Sequence, residues 1–483
     1  LTLVLNDPGL LRFENRIGAR WVPPGAASIA VANPATGEVI GQVPRFGAAE
    51  TCEAIEAAAA ALPGWRAQTA GERAATLRAL SGLLLEHLED LALILSSEQG
   101  KSLAEARGEV RGSAAYVQWF AEEGRRAYGD VIPSPWKDRR VLTTREPVGV
   151  VAAITPWNFP SSMIARKLGA ALAAGCTIVI KPASQTPLSA LAWGELCQRA
   201  GVPDGVFNCI TGSAAEIGGE LTRHPAVKKV TFTGSTAVGK TLMAQSAATM
   251  KKVSMELGGN APFIVFADAD LDRAVAGAID SKFRNSGQTC VCANRFLVHD
   301  SVYEAFNAKL AAAVDMLKVG AGTEPDVQQG PLIDEAAVRK VEEHIADALA
   351  RGARLVIGGA RHALGGSFFQ PTVMVDVAAD ALVAREETFG PLAPVFPFAD
   401  EEQAIRMAND TEFGLACYFY TRDLGRAFRV SEQLEYGIVA VNEGLVTTEV
   451  APFGGVKESG MGREGARSGL QDYMIEKYIC LGL

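Results

Sequence analysis

The sequence predicts an α/β fold made of at least two packed units. Three observations lead there. The chain has 483 residues, more than one ordinary hydrophobic core serves. From residue 148 onward, short apolar runs alternate with helical stretches. The composition, 48% hydrophobic and 21% charged, is that of a chain that buries such cores rather than one that stays disordered.

Residues 48–62 and 71–95 are rich in Ala, Leu, Glu and Arg at helical spacing, and 100–127 continue in that style. VIPSPWKDRR, 131–140, interrupts with two prolines and a charge cluster. The stretch 126–145 therefore reads as an excursion from the main unit, formed of strands. VGVVAAITPW, from residue 148, is an apolar run ended by Pro156, which suits a strand buried on both faces. A helical stretch, 161–174, follows. CTIVIKP, 176–182, is a second strand, and 187–200 is again helical. VFNCITG, 206–212, and KKVTFTG, 228–234, repeat the theme. This alternation predicts a mostly parallel sheet covered on both faces. FIVFADAD, 263–270, opens a second α/β unit that runs to about residue 440.

The formal net charge of −9 disfavours a general binder of nucleic acid or of membrane surfaces, which carries a basic excess. No run of about 18 apolar residues predicts a membrane span. Leu1 to Trp21 lacks the layout of a secretory signal, so the expected location is cytoplasmic. Eight cysteines are present. Most stand alone in apolar or helical surroundings and read as buried reduced thiols; only Cys290 and Cys292 lie close together. The chain has no paired CxxC motifs, and its five histidines lack ligand spacing, so no metal is expected.

Four segments carry chemistry. Gly234 to Thr241, GSTAVGKT, fits the phosphate-loop pattern after a strand and before a helix. It suits a nucleoside triphosphate, a dinucleotide or a plain structural turn. SKFRNSGQTCVCANR, 281–295, sets Cys290 among small and polar residues, poor core material and a reasonable setting for a reactive thiol; a structural thiol is the alternative. In VSMELGGNAP, 253–262, Glu256 lies between Met255 and Leu257. Such a setting raises a carboxyl pKa and suits a general base, unless the residue is a solvated element end. In TPWNFP, 155–160, Asn158 either forms a turn or offers its amide to an oxyanion.

PWNFP, KPASQTP, FTGSTAVGK, MELGGNAP, GQTCVCANR, EETFGPLAP and PFGGVKESGMGRE occur in this order. Together they resemble the aldehyde dehydrogenase superfamily over nearly the whole chain. The resemblance implies that Cys290 is the nucleophile, that Asn158 and the Cys290 backbone N–H hold the oxyanion, and that Glu256 activates water against a thioester. It matches Pro156, Trp157, Lys181, Ser184, Gly234, Ser235, Val238 and Leu257 to cofactor-contacting positions, with Glu387 and Phe389 at the nicotinamide end. The stretches MIARK, SKFRN and NEGLVTTEVAPFGG look like the succinate-semialdehyde dehydrogenase branch, in which Arg166, Arg284 and the hydroxyl of Thr447 grip the substrate's far carboxylate. Thr447 departs from the branch's usual Ser, which leaves glutarate semialdehyde as an alternative substrate. Some members of the branch are switched off by a disulfide here, making Cys292 a candidate redox partner. Ser184 stands where many NAD-using relatives carry Glu. The expected cofactor is therefore NADP, with NAD also accepted.

The fold implied is a Rossmann-like cofactor domain over 1–125 and 146–258, an α/β catalytic domain over 259–465, and a small β extension combining 126–145 with 466–483. By resemblance the extension builds a homodimer or homotetramer.

Overall fold

The computed structural model describes residues 3–483; Leu1 and Thr2, at the start of the first expected unit, lie outside the described residues. Two large sheets organise the chain. The first has eight strands, in the order 460–461, 252–256, 227–233, 150–154, 177–181, 207–209, 15–17, 20–22. Its five central strands are parallel. The strands Thr177–Lys181 and Phe207–Cys209 are buried at every residue, as are the first four residues of Val150–Ile154. A parallel strand covered by helices on both faces has no need of polar alternation.

The parallel part of this sheet starts at Val150–Ile154, moves one way through Thr177–Lys181 and Phe207–Cys209, and then returns to the other side through Val227–Thr233. The direction of winding thus reverses between Val150–Ile154 and Val227–Thr233. In open α/β sheets such a reversal opens a crevice at the carboxyl ends of the strands. Pro156, Trp157 and Asn158 follow one of these two strands, and Gly234 and Ser235 follow the other.

The second sheet has seven strands, in the order 354–357, 372–375, 392–398, 293–299, 261–265, 416–420, 438–441. All but the first run parallel, and the first pairs antiparallel with its neighbour. Phe263 anchors its core, with ring centroids 5.1 Å from Phe296 and 5.0 Å from Tyr420. Three segments that lead into its strands carry Gly258–Gly259, Cys290 and Glu387–Phe389. The amino ends of this sheet therefore face the carboxyl ends of the first.

Arg139–Pro147 pairs with Met474–Gly482 along nine residues and with Val131–Ile132 at its other edge. These strands make a separate three-stranded sheet. The segment 460–461 returns to the first sheet against Met255 and Glu256, before the boundary expected at 465. Gly460 makes this possible: its φ is +117° and a Cβ there would lie 1.8 Å from the Met255 carbonyl oxygen. The helical stretch read as continuous over 71–95 is broken at His87 into Ala70–Glu86 and Leu88–Gln99. Glu89 and Asp90 favour a helix start there, and Asp90 accepts the backbone N–H groups of Asn6 and Asp7. Among the described residues no helix is long and apolar enough to cross a membrane.

Candidate active site

Two cavities meet at Cys290. One, of about 260 Å³, is bordered by Trp157, Gly234, Leu257, Glu387 and Phe389, and Pro156 and Ser235 also reach it. The other, of about 310 Å³, is bordered by Arg166, Arg284, Thr447 and Phe453. Cys290 is reached from both, and Asn158 and Glu256 stand on the first.

Cys290 lies on the loop before the strand Ala293–His299 and is partly open to these cavities. Its thiol is nonetheless remote from bulk solvent. Burial pushes its pKa up to about 12, the Glu387 and Glu256 carboxylates push the same way, and Arg166 and Arg284 oppose them. The sulfur is thus held as a thiol, and a nucleophilic role requires a base. Glu256 ends the strand Lys252–Glu256, whose last three residues are buried. Neither of its carboxylate oxygens has a hydrogen-bond partner. Burial raises its pKa well above the ordinary value and Glu464 adds to that; Lys167, Arg166 and Arg463 act against it. A carboxylate destabilised in this way is a strong proton acceptor.

Asn158 is fixed at both ends. Its side-chain amide donates to the Gln288 carbonyl at 2.9 Å, which leaves its second N–H uncommitted. Its backbone carbonyl accepts from Lys101 Nζ at 2.8 Å and from Asn285 Nδ2 at 3.0 Å. Lys101 pairs with Glu109 at 2.6 Å, both wholly buried. The other Glu109 oxygen accepts the backbone N–H groups of Ser161 and Ser162, at 2.9 and 3.0 Å. Those groups open the helix Ser162–Ala174, buried along its whole length. One carboxylate thus caps the helix that carries Arg166 and holds the lysine that holds Asn158.

Arg166 is buried; its Nε and Nη1 make no hydrogen bond, and Nη1 lies 3.6 Å from Glu464 Oε2 in an ion pair. Its guanidinium lies 4.9 Å from the Tyr116 ring and 4.4 Å from the Phe453 ring. Arg284 Nε is likewise buried without a partner. Two guanidinium groups that border one cavity, the Nε of each free of hydrogen bonds, suit an anion. Thr447 is exposed at this cavity's wall.

On the other side, the Trp157 and Phe389 rings meet edge to face at 5.5 Å. The Gly259 N–H donates to Glu387 Oε1 at 3.3 Å, and Lys340 Nζ donates to the Glu387 backbone carbonyl at 2.6 Å. Burial raises the Glu387 carboxyl to about 7. Ser235 caps the helix Thr236–Ser246 without a side-chain hydrogen bond, and no acidic residue stands in its first turn. Its open N–H groups and positive end suit a phosphate. This crevice, open N-terminus and adjoining cavity fit a dinucleotide that reaches Cys290.

Lys181, Ser184 and Val238 stand outside both cavity walls. Lys181 is buried, its Nζ donates to the Pro182 carbonyl at 2.9 Å, and burial lowers its pKa to about 8. Ser184 is half-buried in the turn after this strand, and Val238 is exposed on the helix Thr236–Ser246. Lys240, the lysine of the phosphate-loop pattern, pairs with Glu458 at 2.7 Å on the surface. It is already engaged and exposed, as a lysine reaching β- and γ-phosphates would not be. Cys292 is a buried free thiol that donates to the Lys282 carbonyl at 3.2 Å.

Sequence reading missed Lys101, Glu109, Lys167, Glu464 and Lys340. Lys167 Nζ donates to Thr233 Oγ1 at 2.7 Å and also pairs with Glu464. Its signal was a second charge beside Arg166 inside an otherwise apolar helix. It also missed that Cys52, Glu220 and His224 bring ligand atoms within 4.8 Å of one another. None of these three borders either cavity, and His224 Nδ1 already accepts the Ala226 N–H at 3.2 Å.

A model of the aldehyde dehydrogenase family matches residues 21–479. The chain is 61% identical over 479 residues to the glutarate-semialdehyde dehydrogenase of Pseudomonas aeruginosa, covering 99% of both. It is 60% identical over 480 residues to the NADP(+) succinate-semialdehyde dehydrogenase of Escherichia coli, covering 99% of this chain and 100% of that one. The solved structure of the succinate-semialdehyde dehydrogenase from Burkholderia pseudomallei superposes with a TM-score of 0.99 at 60% identity, covering 100% of each chain.

The Lys101–Glu109 pair yields a stability prediction. Breaking a buried ion pair by removing one partner costs about 3–5 kcal/mol. Lys101→Met should therefore lower the thermal midpoint sharply. Lys101→Met with Glu109→Gln should recover part of the loss, because the Gln oxygen still accepts from the helix end without a charge. Calorimetry in which the double variant is as unstable as the sum of the two single variants would contradict this coupling.

Proposed function

The chain belongs to the aldehyde dehydrogenase family, and we propose that it oxidises succinate semialdehyde to succinate through a thioester on Cys290. NADP is the preferred cofactor in this reading and NAD is also accepted. The observation that carries the substrate assignment is the pair of guanidinium groups, Arg166 buried and Arg284 half-buried, that border the cavity opening on Cys290, the Nε of each without a hydrogen bond. Glutarate semialdehyde, named for a relative at 61% identity, is the second reading.

The site's groups divide the work as follows. With the far carboxylate on Arg166 and Arg284, the aldehyde carbon stands at Cys290. The thiol gives up its proton to Glu256 and forms the C–S bond. The free N–H of Asn158 and the Cys290 backbone N–H hold the resulting oxyanion, where fixed donors in a dry site act most strongly. Trp157, Gly234, Ser235, Leu257, Glu387 and Phe389 would hold the dinucleotide, whose nicotinamide, when bound, accepts the hydride that leaves a thioester. Glu256, freed of its proton, then takes one from water. The hydroxide adds to the thioester carbonyl, the C–S bond breaks, and the sulfur is released for the next cycle. We assign a dimer or tetramer built through the strand Met474–Gly482, where Ile475, Tyr478 and Leu481 are exposed, and a cytoplasmic location.

Initial rates on succinate semialdehyde, glutarate semialdehyde and butanal test the substrate reading. A hydrogen bond to a charged group contributes about 1.5–3 kcal/mol. Arg284→Ala should therefore lower kcat/KM on the semialdehydes by about one to two orders of magnitude and on butanal far less. Equal losses on all three would contradict carboxylate recognition.

The cofactor reading rests on Ser184. A carboxylate at this place would bond ribose hydroxyls and repel a 2′-phosphate, as the analogous acid does in dinucleotide-binding folds. Ser184→Glu should move the ratio of kcat/KM for NADP to that for NAD downward by about tenfold or more, a change of about 1.4 kcal/mol. An unchanged ratio would place the discrimination elsewhere, and a wild-type preference for NAD would contradict the assignment.

A further inference from the structure

The helix Leu103–Glu123 forms one wall of the cavity that holds Arg166 and Arg284, and Gly108, Gly112 and Tyr116 succeed one another along it at one-turn spacing. Glycine weakens a helix interior relative to alanine, so two glycines on one face call for a reason. Elsewhere in this region the reason is packing. A Cβ on Gly124 would lie 3.2 Å from the Ala173 side chain, and one on Gly169 would lie 3.1 Å from Phe120. Gly108 and Gly112 have no such neighbour: a Cβ on either meets nothing within 4 Å. Each borders the cavity, Gly108 where the helix is exposed and Gly112 half-buried further along.

This matters because the substrate is held at two fixed points. Its aldehyde carbon must reach Cys290, on the loop before a strand of the second sheet. Its carboxylate must reach Arg166, on a wholly buried helix, and Arg284. Neither end can yield far. Between two such points, a chain one methylene longer than the one that fits extended must bow sideways. Bowing needs lateral space, and the two missing side chains on Leu103–Glu123 supply it.

We propose that Gly112, with Gly108 one turn before it, is a specificity-determining position that keeps the pocket open to dicarboxylic semialdehydes longer than four carbons. The proposal rests on the substrate reading above and adds to it that five-carbon glutarate semialdehyde is accommodated by the glycine wall rather than by displacement of the arginines. One methylene in a confined pocket changes kcat/KM by roughly 10–200-fold, which sets the scale of the effect.

The test compares kcat/KM on succinate semialdehyde, glutarate semialdehyde and butanal for the wild type, Gly112→Ala, Gly112→Leu and Gly82→Ala. Gly82 is a helix glycine with nothing within 4 Å of its Cβ position, and it borders neither cavity. The wild type should oxidise both semialdehydes. Gly112→Leu should lower the five-carbon to four-carbon ratio by about tenfold or more, Gly112→Ala should lower it less in the same direction, and Gly82→Ala should leave it unchanged. Gly112→Ala should not lower the thermal midpoint, because alanine is the better helix former; it therefore reports on the pocket even if the leucine variant folds poorly. A ratio unchanged in Gly112→Ala and Gly112→Leu, or a parallel fall on both semialdehydes, would overturn the proposal while leaving the substrate reading intact. A wild type that oxidises butanal but neither semialdehyde would overturn the substrate reading and this proposal with it.

Discussion

Glu256 is buried with both carboxylate oxygens unpartnered, and the site is arranged around that one group. Leaving a buried polar group unsatisfied costs about 1–3 kcal/mol, more when it is charged. Lys167, Arg166 and Arg463 offset part of the cost without bonding the carboxylate, while Glu464 opposes them. The same cations anchor other parts of the machinery. Lys167 ties Glu464 to Thr233, and Arg166 faces the substrate cavity. A base that found a direct partner would be easier to bury and a weaker proton acceptor.

The fold explains why these groups meet. The first sheet reverses its winding between Val150–Ile154 and Val227–Thr233, which opens a crevice at the strand ends. The second sheet presents its amino ends to that crevice. Among the described residues, Cys290 thereby becomes the one thiol reached from both the cavity at Glu387 and Phe389 and the cavity at Arg166 and Arg284. Gly460 contributes by allowing the chain to lie against the Met255 carbonyl, which brings the segment carrying Arg463 and Glu464 back beside Glu256.

Much of this was legible in the sequence because the candidate reacting groups sit in short contiguous motifs. Cys290, Glu256 and Asn158 each lie in a stretch whose local composition was odd for core or for loop. The buried runs of the parallel sheets were equally plain. What escaped was long-range pairing. Lys101 and Glu109 are ordinary helix-surface residues by pattern, and only tertiary packing makes them a buried pair beneath Asn158. Glu464 is 208 residues from Glu256 in number and coupled to it in space. The phosphate-loop pattern erred in the opposite direction: its backbone turn is present, while its lysine is engaged with Glu458 on the surface. The helix break at His87 escaped because apolar periodicity continues across it; Asp90, in the first turn of the second helix, accepts the N–H groups of Asn6 and Asp7, a contact that no local pattern announces.

The account's central claim is that the acyl group is carried by Cys290 and released by a water that Glu256 deprotonates. Acid quench during turnover, followed by peptide fragmentation mass spectrometry, measures this directly in the wild type and in Glu256→Gln. The account predicts a thioester on Cys290 and none on Cys292, at low occupancy in the wild type; in Glu256→Gln, which also lacks the base for thiol attack, it forms slowly but is not hydrolysed, so its occupancy climbs above that of the wild type at long reaction times. An acyl group on Cys292, or equal occupancy of Cys290 in the two proteins, would contradict it.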